Sequence, residues 1–99
     1  MLVGYIRVST DDQNLNLQKD ALLKFGVDER NIFSDKTSGS KDKRVGLDKA
    51  IEFLKDGDTL VVWKLDRLGR SLAHLISIIT SLKNRNISFI SITEGMDTT

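Results

Sequence analysis

The sequence predicts a single three-layer α/β domain, a mainly parallel four-stranded sheet flanked by helices. Three observations lead there. Four short apolar runs alternate with three stretches of helical period. The runs are apolar almost throughout, as strands buried on both faces are. The resulting order, βαβαβαβ, calls for parallel strands joined by right-handed helical crossovers.

Leu2 to Val8 (LVGYIRV) is the first strand. Thr10 follows, with Gln13 three positions on; this spacing is a capping box, in which the two ends satisfy each other's free backbone N–H groups. Leu17, Ala21, Leu22 and Phe25 then fall on one helical face, and Gly26 supplies the stop. Asn31 to Ser34 (NIFS) is a short second strand. Asp35 to Arg44 (DKTSGSKDKR) is polar, contains glycine and carries both signs of charge, so it is expected to be a mobile loop. Leu47, Ala50, Ile51 and Leu54 have the spacing of a second amphipathic helix. Gly57-Asp58 turns the chain into the third strand, Thr59 to Trp63 (TLVVW). Lys64 to Arg70 (KLDRLGR) leads into a third helix with an apolar stripe of Leu72, Leu75, Ile76, Ile79 and Leu82. Ile87 to Ile92 (ISFISI) is the fourth strand. Glu94 to Thr99 (EGMDTT) carries no packing signal. One face of the last strand is expected to lack a cover if a further helix normally lies on it, which would favour self-association.

A length of 99 residues fits one domain, and 39% hydrophobic with 29% charged residues is ordinary for a soluble globular chain. There is no cysteine, and His74 is the single histidine, so disulfides are excluded and no metal site is expected. No apolar run reaches membrane-spanning length. The apolar start, Leu2 to Ile6, is cut short by Arg7, too early for a signal peptide; a cytoplasmic protein is expected. The net charge of +1 is a weak footprint for a nucleic-acid binder. Any such function must rest on where the charges sit.

Working sites in open parallel sheets lie at the carboxyl ends of the strands. There the sequence places Arg7, Ser9 and Thr10 after the first strand, Ser38 and Arg44 after the second, and Lys64, Asp66, Arg67 and Arg70 after the third. In physical terms this is a phosphate site. Helix N-termini present free N–H groups and a positive dipole end. Guanidinium groups match phosphate oxygens with forked donors and keep their charge. Phosphoryl transfer needs an aligned nucleophile, for which Ser9 stands, and positive charge around the equatorial oxygens. A serine hydroxyl also needs a proton acceptor. No histidine lies near Ser9 in sequence, and Gln13 and Gln18 are weak bases. Asp66 and an arginine both stay open for that role.

Each of these residues has an ordinary reading too. Ser9 can be a turn residue beside a helix cap, and Arg44 with Lys41 and Lys43 a solvated loop. Tyr5 and Trp63 have the character of packing residues. An arginine in a first helical turn, however, opposes the helix dipole, and that mild local cost points to an anion as partner.

Tyr5-Ile6-Arg7-Val8-Ser9-Thr10, then Asp12-Gln13, then Asp35-Lys36-Thr37-Ser38-Gly39, then Lys64-Leu65-Asp66-Arg67-Leu68-Gly69-Arg70-Ser71 resemble the motifs of the serine recombinases, in the resolvase/invertase branch. The likeness covers essentially the whole chain. It implies a resolvase-like catalytic domain acting on double-stranded DNA. The serine would attack the scissile phosphate to form a 5′-phosphoserine link, with strand exchange and religation following and no cofactor, metal, small-molecule substrate or membrane involved. By motif position it makes Ser9 the nucleophile and Arg7, Arg44, Arg67 and Arg70 the active-site arginines. Tyr5, Gln13, Gln18, Asp35, Ser38 and Asp66 become the supporting shell. Family members work as dimers and tetramers, and continue into a long dimerisation helix and a helix-turn-helix domain. Residues 1–99 therefore correspond to the catalytic domain without those parts, and are expected to fold but to be inactive alone.

Two other functions compete. One is a non-catalytic assembly or regulatory module that pairs with recombinase subunits. The other is a nucleotide-binding or receiver domain. It is disfavoured by the lack of G-x-G-x-x-G or a Walker loop after the first strand, and by arginines where a receiver would cluster carboxylates.

Overall fold

A computed structural model describes residues 1–9, 15–37, 45–65 and 71–98. In chain order they form β1 (Leu2–Ser9), α1 (Leu15–Phe25), a single 3₁₀ turn (Glu29–Asn31), β2 (Ile32–Thr37) and α2 (Val45–Phe53). Then follow β3 (Thr59–Val62), α3 (Leu72–Asn84), β4 (Ser88–Ser91) and β5 (Met96–Asp97). The sheet order is β2-β1-β3-β4-β5, parallel except for the antiparallel pair β4–β5. This is the α/β class the sequence predicts. Among the described residues no helix is long and apolar enough to cross a membrane.

The sheet has a fifth strand where four were expected. Met96 and Asp97 pair back onto Ser91 and Ile90 after a turn at Gly95, whose φ of +68° suits a residue without Cβ. Thr98 closes the ladder: its N–H donates to the Phe89 carbonyl (2.9 Å) and its hydroxyl accepts from the Phe89 N–H (2.8 Å). Two residues are too few to show a period of two in sequence. β2 likewise runs further than expected, so Asp35, Lys36 and Thr37 are strand, in register with Arg7, Val8 and Ser9. A polar strand is stable there because β2 is an edge, with Ser34 and Lys36 exposed. The rest of the expected loop, 38–44, lies outside the described residues, as does the capping box at Thr10 and Gln13.

Side chains alternate across β1 into two cores. Val3 and Tyr5 join Leu47, Ala50, Leu60, Val62, Leu82 and Phe89 beneath α2 and α3. Ile6 and Val8 join Leu22, Val27 and Val61 beneath α1. Ile90 and Ile92 lie on this second side and are only half-buried.

Two helices pack on faces that only partly match the expected ones. In α1 the sheet takes Gln18 and Leu22, both fully buried, while Leu17 (52% exposed) and Phe25 (43%) face outward. Leu17 sits about 100° around the helix from Gln18. In α3 the expected Leu82 is buried and the expected Leu75 and Ile79 pack against the core, but Ile78 is buried in place of Leu72 (73% exposed) and Ile76 (55%). That helix is apolar over more than one face, so periodicity alone does not select the side that packs. The difference has a measurable consequence. Ile78→Ala is expected to cost about 2–4 kcal/mol in urea unfolding, as a buried truncation does, and Ile76→Ala no more than about 0.5 kcal/mol.

Candidate active site

β1 is the centre of the site because the chain changes direction around it. β2 lies on one side of β1 and β3 on the other, which makes the carboxyl end of β1 the topological switch point. Pairing with β3 stops at Tyr5↔Val62, whereas pairing with β2 continues to Ser9↔Thr37. The end of β1, with Arg7 and Ser9, thus runs on past β3.

Tyr5 and Arg7 stand on the α2 side of the sheet, two residues apart on one face. Arg7 is in register with Asp35 of β2 and is half-buried. Asp35, 9% exposed, accepts three hydrogen bonds. The Tyr5 hydroxyl donates to Oδ2 (2.7 Å), the Gly46 N–H to Oδ1 (2.7 Å) and the Leu47 N–H to Oδ2 (2.9 Å). A strand carboxylate thereby caps α2, where negative charge also suits the helix dipole. Gly46 permits this approach. A Cβ there would lie inside van der Waals distance of the Ser34 carbonyl oxygen and 2.9 Å from Asp35 Oδ1. Burial, the bond to Asp35 and that carboxylate's charge together push the Tyr5 phenol far above its ordinary 10.0, with Arg7 opposing the rise.

On the opposite side of the sheet, α1 inserts Gln18. Its Nε2 donates to the Arg7 carbonyl (3.2 Å), and its Oε1 is buried without a hydrogen-bond partner among the described residues. Two further anchors flank the β3–α3 connection. The Leu65 N–H donates to Glu94 Oε1 (3.3 Å), and Ser71 caps α3 by accepting from the His74 backbone N–H (3.1 Å).

Of the residues singled out in sequence, the structure brings Tyr5, Arg7 and Asp35 together and ties Gln18 to the same stretch of β1. Ser9 is the last residue of β1. Gln13, Ser38, Arg44, Asp66, Arg67 and Arg70 lie outside the described residues. Sequence reasoning missed Glu94 and Ser71, and gave Asp35 no physical task. A Ser just ahead of an apolar helical stripe is a legible cap. A cap donated from 11 residues away is not.

A mainly parallel sheet that reverses its strand order at β1 defines the class of doubly wound α/β domains, whose working groups lie at the switch point. Within it, the profile of the family "Resolvase, N terminal domain" matches residues 2–99, and the chain belongs to that family. It is 55% identical over 98 residues to serine recombinase gin of Escherichia phage Mu, covering 99% of this chain and 50% of that protein. It is 56% identical over 96 residues to the transposon Tn552 DNA-invertase BinR of Staphylococcus aureus, covering 97% and 49%. The chain thus spans about half the length of these curated relatives. Among solved structures, the N-terminal catalytic domain of TP901-1 integrase superposes with a TM-score of 0.76 at 30% identity, over 98% of this chain and 80% of that one.

Two outcomes test the Asp35 junction. Gly46→Ala forces α2 away from β2 and is expected to destabilise the domain by about 1–3 kcal/mol in denaturant unfolding. Tyr5 is the single tyrosine, so its ionisation can be followed at the phenolate absorbance. The folded hydroxyl keeps its proton above the pH near 10.0 where the unfolded phenol loses it. Its contribution to stability is therefore full below about pH 10 and declines above it. Tyr5→Phe is expected to cost about 1–3 kcal/mol at neutral pH and to make the alkaline loss of stability shallower.

Proposed function

We propose that this chain is the catalytic domain of a site-specific DNA recombinase whose nucleophile is Ser9. The observation that carries the reading is the end of β1 at the switch point, with Arg7 two residues before Ser9 and the Asp35-capped start of α2 alongside. Membership of the resolvase family and the names of the relatives, a serine recombinase and a DNA-invertase, support it.

In this mechanism the Ser9 oxygen forms a bond to the scissile phosphorus and loses its proton. The bond from phosphorus to the 3′ oxygen breaks, and that oxygen leaves as a 3′ hydroxyl after taking up a proton. The 5′-phosphoserine ester conserves the energy of the broken link, so religation by a 3′ hydroxyl is the same step reversed, with no cofactor. Arg7, Arg44, Arg67 and Arg70 supply the charge that stabilises the equatorial oxygens in both directions. Asp35 and Tyr5 support the site by holding β2, β1 and α2 in fixed relation. The partners are double-stranded DNA and further copies of the full-length protein, and residues 1–99 alone are inactive.

Ser9→Ala in the full-length protein is expected to abolish covalent attachment to site DNA, seen as loss of the slow-migrating protein–DNA band, while leaving DNA binding intact. Attachment that survives this change would favour the non-catalytic assembly module instead. Covalent attachment by purified 1–99 would overturn its inactivity.

A further inference from the structure

The turn between β4 and β5 reaches across to the exit of β3, and one side chain makes the last contact. The Ile92 N–H donates to the Val62 carbonyl (3.0 Å) and the Thr93 N–H to the Trp63 carbonyl (2.9 Å), so the β3–β4 ladder outlasts the regular strands. One residue further on, Glu94 takes over from backbone with its carboxylate: Oε1 accepts from the Leu65 N–H (3.3 Å). The same oxygen accepts from the Ser91 hydroxyl, and Ser91 is fully buried. Glu94 itself is exposed, and in solvent such a side chain would sample many rotamers. Here Ser91 below fixes it, and Gly95 at φ +68° lets the chain turn back at once into β5.

Leu65 is the residue immediately before Asp66, Arg67, Leu68, Gly69 and Arg70, and Ser71 immediately after them caps α3. We propose that Glu94 is a positioning residue for the recombination chemistry: through Ser91 and the Leu65 N–H it fixes where the segment bearing Arg67 and Arg70 departs from the sheet. The inference rests on the reading of those arginines as phosphate ligands. Glu94 touches neither DNA nor the reacting atoms in this scheme. It acts through the backbone at Leu65.

The test compares Glu94→Ala and Glu94→Gln in the full-length recombinase, with Ser9→Ala in parallel. Glutamine keeps an acceptor oxygen for Leu65 and Ser91; alanine does not. Glu94→Ala is expected to slow single-turnover covalent attachment about tenfold or more, as small misplacements of catalytic groups do. Affinity for site DNA and the thermal midpoint should stay close to wild type, and the Leu65 amide should exchange hydrogen faster. Glu94→Gln should restore attachment to within about threefold of wild type and return protection to the Leu65 amide. The proposal is overturned if Glu94→Ala attaches at the wild-type rate. It is equally overturned if its loss only tracks a lower thermal midpoint, or if Glu94→Gln is as slow as Glu94→Ala, because charge rather than placement would then be acting. Attachment that persists in Ser9→Ala overturns the underlying reading instead, a result visible without reference to Glu94.

Discussion

The Asp35 carboxylate holds together the three elements that meet at the carboxyl end of β1. Burying a carboxylate is costly unless donors replace its water, and here Tyr5, Gly46 and Leu47 replace it. The three donors answer two different demands. Tyr5 needs an acceptor for a hydroxyl deep in the core, and α2 needs one for its first free N–H groups. β2 is thereby fastened to a helix as well as to β1. The junction also explains an otherwise unfavourable glycine in the first turn of α2, since any side chain at Gly46 would strike the Ser34 carbonyl.

From that junction the rest of the site follows as a set of fixed ends. Arg44 is one residue before α2, whose start is set by Asp35. Asp66, Arg67 and Arg70 fall in sequence between Leu65, held from the β4–β5 turn by Glu94, and Ser71, the cap of α3. Ser9 ends a strand whose Arg7 carbonyl is held from beneath by Gln18. A rigid α/β scaffold carrying its working groups on connections between anchored ends is how such folds combine stability with reach.

Most of the fold was legible because buried parallel strands write themselves as unbroken apolar runs, as TLVVW and LVGYIRV do. What escaped were choices made by tertiary contact. Gln18 is buried because the Arg7 carbonyl needs a donor, and no local pattern announces a polar residue on an inward face. Ile78 rather than Ile76 packs because α3 offers more apolar positions than the sheet can cover. For the candidate site, strand-end placement singled out Ser9, Arg7, Arg44, Arg67 and Arg70 together, and resemblance to a family assigned each its expected role. Glu94 and Asp35 act on partners 29 and 30 residues away, beyond any sequence window.

Charge bookkeeping shows why the composition was a poor guide. The total is nearly neutral, with 15 basic against 14 acidic residues. At least five of the acids are bonded within the domain. Asp35 is taken by α2 and Tyr5, Asp58 by the amino terminus and the Lys55 N–H, Asp28 by Arg30, Glu29 by Lys19, and Glu94 by Leu65 and Ser91. The arginines divide the same way. Of the six in the chain, Arg30 is committed to Asp28, and Arg85 caps the end of α2 by donating to the Ile51 and Leu54 carbonyls. The other four, Arg7, Arg44, Arg67 and Arg70, belong to the end of β1 and to the segments that follow β2 and β3. Four of the six arginines thus fall, in sequence, at or after the carboxyl ends of the first three strands, a grouping that the near-neutral total conceals. Charges beyond about 10 Å are largely screened at physiological salt, so how charges are grouped matters more than their sum.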